Sequence, residues 1–160
     1  MKQSCNYNFD LDLPIAQETE RQIAKYLVEK GKMKFLNDNN DNRYDIKMEL
    51  ANGKPFTIEI KEDFTCARTG NVGVEFSCRG KPSGIEVSQA DFYMYKVHVT
   101  KNIQRLYSIK TEKLKKMIEE EKYFRIVNGG DPGSNSMCYL FKLDTIIENF
   151  DYLGDLSNYS

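Results

Sequence analysis

Histidine, closely spaced cysteine and long apolar runs are all scarce in this chain, and each scarcity removes a class of protein. His98 is the single histidine, and Cys5, Cys66, Cys78 and Cys138 form no Cys-x-x-Cys pair. Zinc centres need such ligands at short spacing, so no zinc site is expected. The same cysteines offer no disulfide framework, which leaves reduced thiols in a cytoplasmic protein as the expectation. No apolar run approaches a membrane span, and the opening Lys2-Gln3-Ser4 is polar with no signal-like core, so no membrane partner is expected. The net charge is −1, so a nucleic-acid-binding face has to be local and balanced by acids elsewhere. Repeats and low-complexity segments are absent. What is present is ordinary for a globular protein: 160 residues, 40% hydrophobic and 29% charged. That length suits one domain with a real core, with residues 1–13 and 151–160 read as irregular.

The most informative stretch runs from Tyr44 to Lys61. Tyr44-Asp45-Ile46-Lys47-Met48-Glu49-Leu50 and Phe56-Thr57-Ile58-Glu59-Ile60-Lys61 both alternate polar and apolar, and Ala51-Asn52-Gly53-Lys54-Pro55 between them is a turn. This is a β-hairpin. A two-residue Asn52-Gly53 turn would set Ile46 against Glu59 and mix the two faces. A three-residue Ala51-Asn52-Gly53 loop, ending with Gly53 in the left-handed region, sets Ile46 against Ile58 and Asp45 against Glu59. The burial pattern therefore selects the longer loop. Asp45, Glu59 and Lys61 then project from one face of neighbouring strands.

Two carboxylates and an amine so placed suit a hard cation. Mg²⁺ or Mn²⁺ prefers oxygen ligands, and Mg²⁺ commonly uses one or two carboxylates together with water and phosphate. Such an ion stabilises charge on a scissile phosphate and activates water, while Lys61 could position that water or neutralise charge. An ordinary sheet with a solvated polar face has the same pattern, so the hairpin alone leaves both open.

Asp45, thirteen intervening residues and Glu59-Ile60-Lys61, preceded by a glutamate-bearing helix, resemble the PD-(D/E)XK nuclease superfamily. Tyr44 stands where that pattern often has proline. The resemblance implies a restriction-endonuclease-like α/β fold, a mixed central β-sheet flanked by helices, and metal-dependent hydrolysis of DNA. It implies that Asp45, Glu59 and the Ile60 carbonyl hold Mg²⁺ (or Mn²⁺) and that Lys61 orients or activates water. In resolvase-like members a first-helix glutamate assists. The helix read from Ile15 to about Glu29, closed by Gly31, offers Glu20 at the border of its apolar face, with Glu18 pointing away. A glutamine after the second acidic strand often faces the site in related nucleases, and Gln89 is its match. Homodimers are common among such proteins, RNA is an alternative substrate, and a non-catalytic nucleic-acid-binding or inhibitory protein on the same scaffold is the rival reading.

The segment Thr69-Gly70-Asn71, Val74-Glu75-Phe76 and Arg79-Gly80-Lys81-Pro82-Ser83-Gly84-Ile85 is similar to a phage-associated branch of that superfamily. Its glycines permit close backbone approach to phosphate, and Arg68, Thr69, Asn71, Arg79, Lys81 and Ser83 are the candidate nucleic-acid contacts. Residues 72–77 read as a strand that would carry Glu75, an auxiliary candidate, toward the metal face. Ser88-Gln89-Ala90-Asp91 reads as a capped short helix, with Asp91 bracing the strand at 92–99. His98 fits a satisfied strand histidine. Lys34 to Leu36, 105–109, 123–127 and 138–143 read as further strands. Lys110, Lys113, Lys115 and Lys116, followed by Glu119-Glu120-Glu121, read as a solvated helix with i,i+4 pairing. The loop 128–136 lacks the Gly-Lys-Ser/Thr of a nucleotide-binding loop and reads as a mobile flap. Asp144 reads as the cap of a last helix.

Overall fold

The computed structural model describes residues 18–39, 43–129 and 135–159. The expectations for residues 1–13, for the first turn of the opening helix and for most of the 128–136 flap lie outside those residues. In chain order the elements are α1 (Glu18–Gly31), β1 (Lys34–Asp38), β2 (Ile46–Glu49), β3 (Pro55–Asp63), α2 (Cys66–Thr69), β4 (Asn71–Cys78) and β5 (Lys81–Pro82). A 3-10 turn (Gly84–Glu86) leads to β6 (Phe92–Thr100), β7 (Ile103–Lys110), α3 (Thr111–Glu119), β8 (Arg125–Gly129), β9 (Ser136–Lys142), α4 (Leu143–Asn149) and β10 (Asp151–Asp155). The architecture is α/β. Among the described residues no helix is long and apolar enough to cross a membrane.

A mixed six-stranded sheet is ordered β1-β2-β3-β6-β7-β10, with β3 and β6 parallel and its other neighbours antiparallel. The hairpin takes the register its burial pattern demands: Ile46 pairs Ile58 and Met48 pairs Phe56. Gly53, at φ 89°, closes the loop with its N–H on the Leu50 carbonyl at 2.8 Å. Only glycine takes that conformation without steric cost.

The alternation along β2 and β3 decides what each face of the sheet meets. Ile46, Met48, Phe56, Ile58 and Ile60 join Met94, Leu106 and Leu156 beneath Ile23, Ala24 and Leu27 of α1. Each large side chain so buried contributes about 1.5–3 kcal/mol. On the opposite face Tyr93, Tyr95, Val97, Tyr107 and Ile109 pack against Val72, Val74 and Phe141, with Leu114 of α3 and Ile146 of α4. Val72, Val74 and Phe141 belong to a second sheet, ordered β5-β4-β9-β8. The residues 72–77 therefore form a strand, but in this separate sheet stacked on the first.

Three local expectations are corrected. Residues 151–155 are not an irregular tail: they pair with β7 as the last strand of the large sheet, because Leu156 is drawn into the α1-side core. Ser88 to Asp91 is not helical; the helical turn sits upstream at Gly84–Glu86, where the Val87 and Ser88 N–H groups reach back to Gly84. Asp144 lies in the first turn of α4, and Lys142 holds the N-cap position without a side-chain cap.

Candidate active site

Asp45 stands one residue outside β2, and its side chain finishes what the ladder begins. Its N–H donates to the Ile58 carbonyl at 2.9 Å, and its Oδ2 accepts the Ile60 N–H at 2.7 Å. The carboxylate thus replaces the next backbone acceptor and ends the β2–β3 pairing. In a strand the N–H and C=O of one residue point toward the same neighbour, so the Ile60 carbonyl faces the edge that Asp45 occupies.

Glu59 and Lys61 alternate with Ile58 and Ile60, so they leave the sheet on the face that meets the second sheet. The parallel β3–β6 register sets Glu59 beside Tyr93 and Lys61 beside Tyr95, both tyrosines being buried. Lys61 Nζ lies 3.2 Å from Glu59 Oε2, and Ser88 Oγ lies 3.4 Å from Glu59 Oε1. Asp45, Glu59, Lys61, Glu75, Ser83 and Ser88 line one cavity of about 290 Å³. Its far wall is β4 and the turn after β5, where Ser83 Oγ donates to Glu75 Oε2 at 2.8 Å. Gly84 is obligatory there: at φ +51° a Cβ would fall 2.1 Å from the Glu75 carbonyl oxygen.

The electrostatics are those of an acidic cluster short of positive charge. Burial raises the Asp45 carboxyl above its ordinary range, against the opposing Ile60 N–H and Lys61. Burial and then the Asp45 charge raise Glu59, again with Lys61 opposing. Glu20 of α1 does not line the cavity but is coupled to its acids through charge. Burial, followed by Asp45, Asp38 and Glu59, pushes its carboxyl up to about 7. Below the acids, burial and the neighbouring Glu59 charge keep the Tyr93 phenol protonated, against the opposing Ser88 hydroxyl.

Among the described residues no three His, Cys, Asp or Glu side chains gather closely enough to hold a metal ion. The grouping is therefore a pair of acids, Asp45 and Glu59, with Glu20 coupled to it at longer range. A pair with one backbone carbonyl still suits Mg²⁺ or Mn²⁺, which retain several waters, and the raised carboxyl pKa values favour a cation among them.

The remaining sequence candidates divide. Glu75 and Ser83 reach the cavity; Gln89 does not. The loop at 88–91 leaves Gln89 exposed, its N–H on the Arg43 carbonyl at 2.8 Å, because the helix expected to aim it inward does not form. Arg68, Thr69 and Asn71 lie at the start of β4 and Arg79 and Lys81 beyond its end, separated by a strand of eight residues, roughly 23 Å. They are two groups rather than one, and none of the five lines the cavity. Ser88 and Tyr93, absent from the sequence candidates, belong to the site; the parallel register that brings Tyr93 beside Glu59 has no local signature.

A wider groove of about 740 Å³ lies on the α1 side, lined by Thr19, Gln22, Glu62 and Lys96. His98 Nε2 lies 2.7 Å and Lys96 Nζ 3.7 Å from Glu62 Oε2. Burial would raise the Glu62 carboxyl, but hydrogen bonds from Thr19 and His98, with Lys96, outweigh it and hold the group below its ordinary range. His98 is thus a satisfied strand residue, and this network has already matched its charges. Asp91 braces β3 rather than the strand that follows it, its Oδ2 accepting the Thr57 N–H at 2.9 Å.

No family model matches the chain, and no curated protein matches it.

Proposed function

We propose that this protein is a metal-dependent DNA endonuclease of the PD-(D/E)XK kind, on a restriction-endonuclease-like scaffold, using Asp45, Glu59 and Lys61. The observation that carries this reading is the shared cavity of those three side chains on a face that otherwise buries tyrosines. Asp45, Glu59 and the Ile60 carbonyl would hold Mg²⁺ or Mn²⁺. That ion, when bound, supplies positive charge to the scissile phosphate and lowers the pKa of a coordinated water.

The protein groups have separable tasks. The Ile60 N–H fixes the Asp45 carboxylate in place. Lys61, 3.2 Å from Glu59 Oε2, opposes the rise that burial and Asp45 impose on that carboxyl, and its partly exposed ammonium can face an incoming phosphate or hold the attacking water. Glu20 acts through water at longer range. Glu75, tied to Ser83, borders the substrate side of the cavity. The first-helix Glu20 supports structure-specific cleavage of junctions, as in resolvases, and the motifs at 69–85 support a phage or mobile-element setting; a homodimer would let two such cavities cut two strands.

The test is cleavage of linear duplex, single-stranded, nicked and four-way-junction DNA, with matching RNA, in Mg²⁺ or Mn²⁺. Wild type should cut at least one DNA form only with metal, and Asp45→Asn should lose about 10³-fold or more of that rate while remaining folded. Asparagine retains an oxygen for the Ile60 N–H, so loss of activity is separable from loss of fold. Equal, metal-independent rates for both proteins would overturn the proposal. One observation favours the rival, a non-catalytic nucleic-acid-binding or inhibitory protein: the third acid lies outside direct coordinating reach. That rival requires nucleic-acid binding with no cleavage in either metal.

A further inference from the structure

Ser88 lines two depressions at once. One is the acid cavity; the other is a groove of about 630 Å³ between the start of β3, residues 88–92 and the first turns of α3. The four lysines read from sequence as one solvated helix face are sorted by the fold. Lys113 Nζ donates to the Asn149 carbonyl at 2.7 Å, where a cation complements the end of α4. Lys110 and Lys115 instead line the groove and share it with Lys54 from the hairpin turn.

Three ammonium groups there meet two carboxylates, Asp91 and Glu112. Asp91 is already committed to Thr57, accepting its N–H at 2.9 Å and its hydroxyl at 3.2 Å. The groove also holds the start of α3, where Lys110 occupies the N-cap without a side-chain hydrogen bond. Lysine has no acceptor oxygen; the Asp91 carbonyl accepts the Thr111 N–H at 3.0 Å, so the partial positive charge left at this helix start lies on the N–H groups that follow. The Thr111 hydroxyl, in the same wall, is buried and has no hydrogen-bond partner among the described residues. A helix start without a side-chain cap, flanked by three lysines, suits an oxyanion, and the Thr111 side chain lies in the same wall.

We infer that this groove is a phosphate-binding subsite, which holds the nucleic-acid backbone next to the phosphodiester in the acid cavity. It deepens the nuclease reading and rests on it for the identity of the strand. Contacts of this kind set register without reading sequence, so the subsite treats all base compositions alike.

The experiment measures binding of a fluorescein-labelled DNA duplex and single strand to the full chain in EDTA, across a series of NaCl concentrations. Wild type is compared with Lys54→Gln/Lys110→Gln/Lys115→Gln and with Lys116→Gln, which lies outside the groove. Each lysine that neutralises a phosphate contributes about 0.7–0.9 to the slope of log K against log salt, so the triple variant should lose about 2–3 from that slope. Its affinity should fall at least tenfold at the lowest salt, equally for two unrelated sequences, while Lys116→Gln keeps the wild-type slope. A triple variant with the wild-type slope, or wild type that binds no DNA, overturns the subsite. Lysine-dependent binding without metal-dependent cleavage would leave the subsite standing and remove the nuclease reading instead.

Discussion

Replacing Glu20 by glutamine should stabilise the protein at alkaline pH and leave it unchanged in acid. The carboxyl moves from an ordinary 4.5 to about 7, driven by burial and by Asp45, Asp38 and Glu59. Between those values the folded chain binds a proton that the unfolded chain has released. Stability from this group is therefore complete below 4.5 and is lost as pH rises through 7. At about 1.36 kcal/mol per pH unit the interval caps the effect near 3 kcal/mol, and solvent screening of a half-buried group reduces it to about 1–2 kcal/mol. Glutamine keeps the shape and abolishes the charge, so Glu20→Gln should match wild type at pH 4 and exceed it by that margin at pH 8.

Urea unfolding followed by far-UV circular dichroism measures this directly; tyrosine fluorescence is the second probe, since the chain has no tryptophan. Saturating Mg²⁺ should narrow the gap at pH 8, because a cation offsets the repulsion that glutamine removes. Cleavage should fall in the same variant. A substitution that strengthens the fold and weakens activity marks a group held in place for chemistry. A gap of equal size at pH 4 and pH 8, or a glutamine variant that is weaker at pH 8, would refute the electrostatic account.

Two further outcomes follow from the cavity itself. Lys61→Ala should lower the cleavage rate by about 10²-fold or more and leave Mg²⁺ affinity within a few-fold, because the ammonium opposes rather than supports the cation; loss of Mg²⁺ binding would contradict that division of labour. Gly84→Ala should cost about 3 kcal/mol or more, read as a lowered urea midpoint, since its Cβ would fall 2.1 Å from the Glu75 carbonyl oxygen at a φ of +51°. An unchanged midpoint would show that the wall carrying Glu75 and Ser83 is not held as described.

The parts legible in the sequence are those governed by local alternation. Ile46, Met48 and Leu50 against Phe56, Ile58 and Ile60 specify both the hairpin and its three-residue loop, because a one-residue slip would expose an entire apolar set. Glu20 is legible for the same reason, from its place at the edge of the Ile23, Ala24 and Leu27 stripe. Gln89 is not, because Ser88 makes a cap-like contact, its Oγ accepting the Ala90 N–H at 3.3 Å and donating to Glu59 at 3.4 Å, yet no helix follows. Strand β10 was hidden by a polar composition that suits an edge strand as well as a tail. The second sheet was hidden because β4 and β9 pair across some sixty residues, and alternation says which residues share a face but not which strand will lie beside them.

That second sheet also changes the meaning of the hairpin's polar face. Taken alone, Glu59 and Lys61 suit a solvated surface, where a polar row needs no explanation. In the fold they share their face with Tyr93, Tyr95 and Val97, all covered by β4, β9 and α3. Removing carboxylates from water is costly, and the raised Asp45, Glu59 and Glu20 carboxyls are the measure of that cost here. Apolar side chains at 45 and 59 would be easier to bury beside the tyrosines. One lysine at 3.2 Å offsets only part of the penalty. Under the proposed function a divalent ion would offset the remainder, at the cavity that both acids and the lysine border.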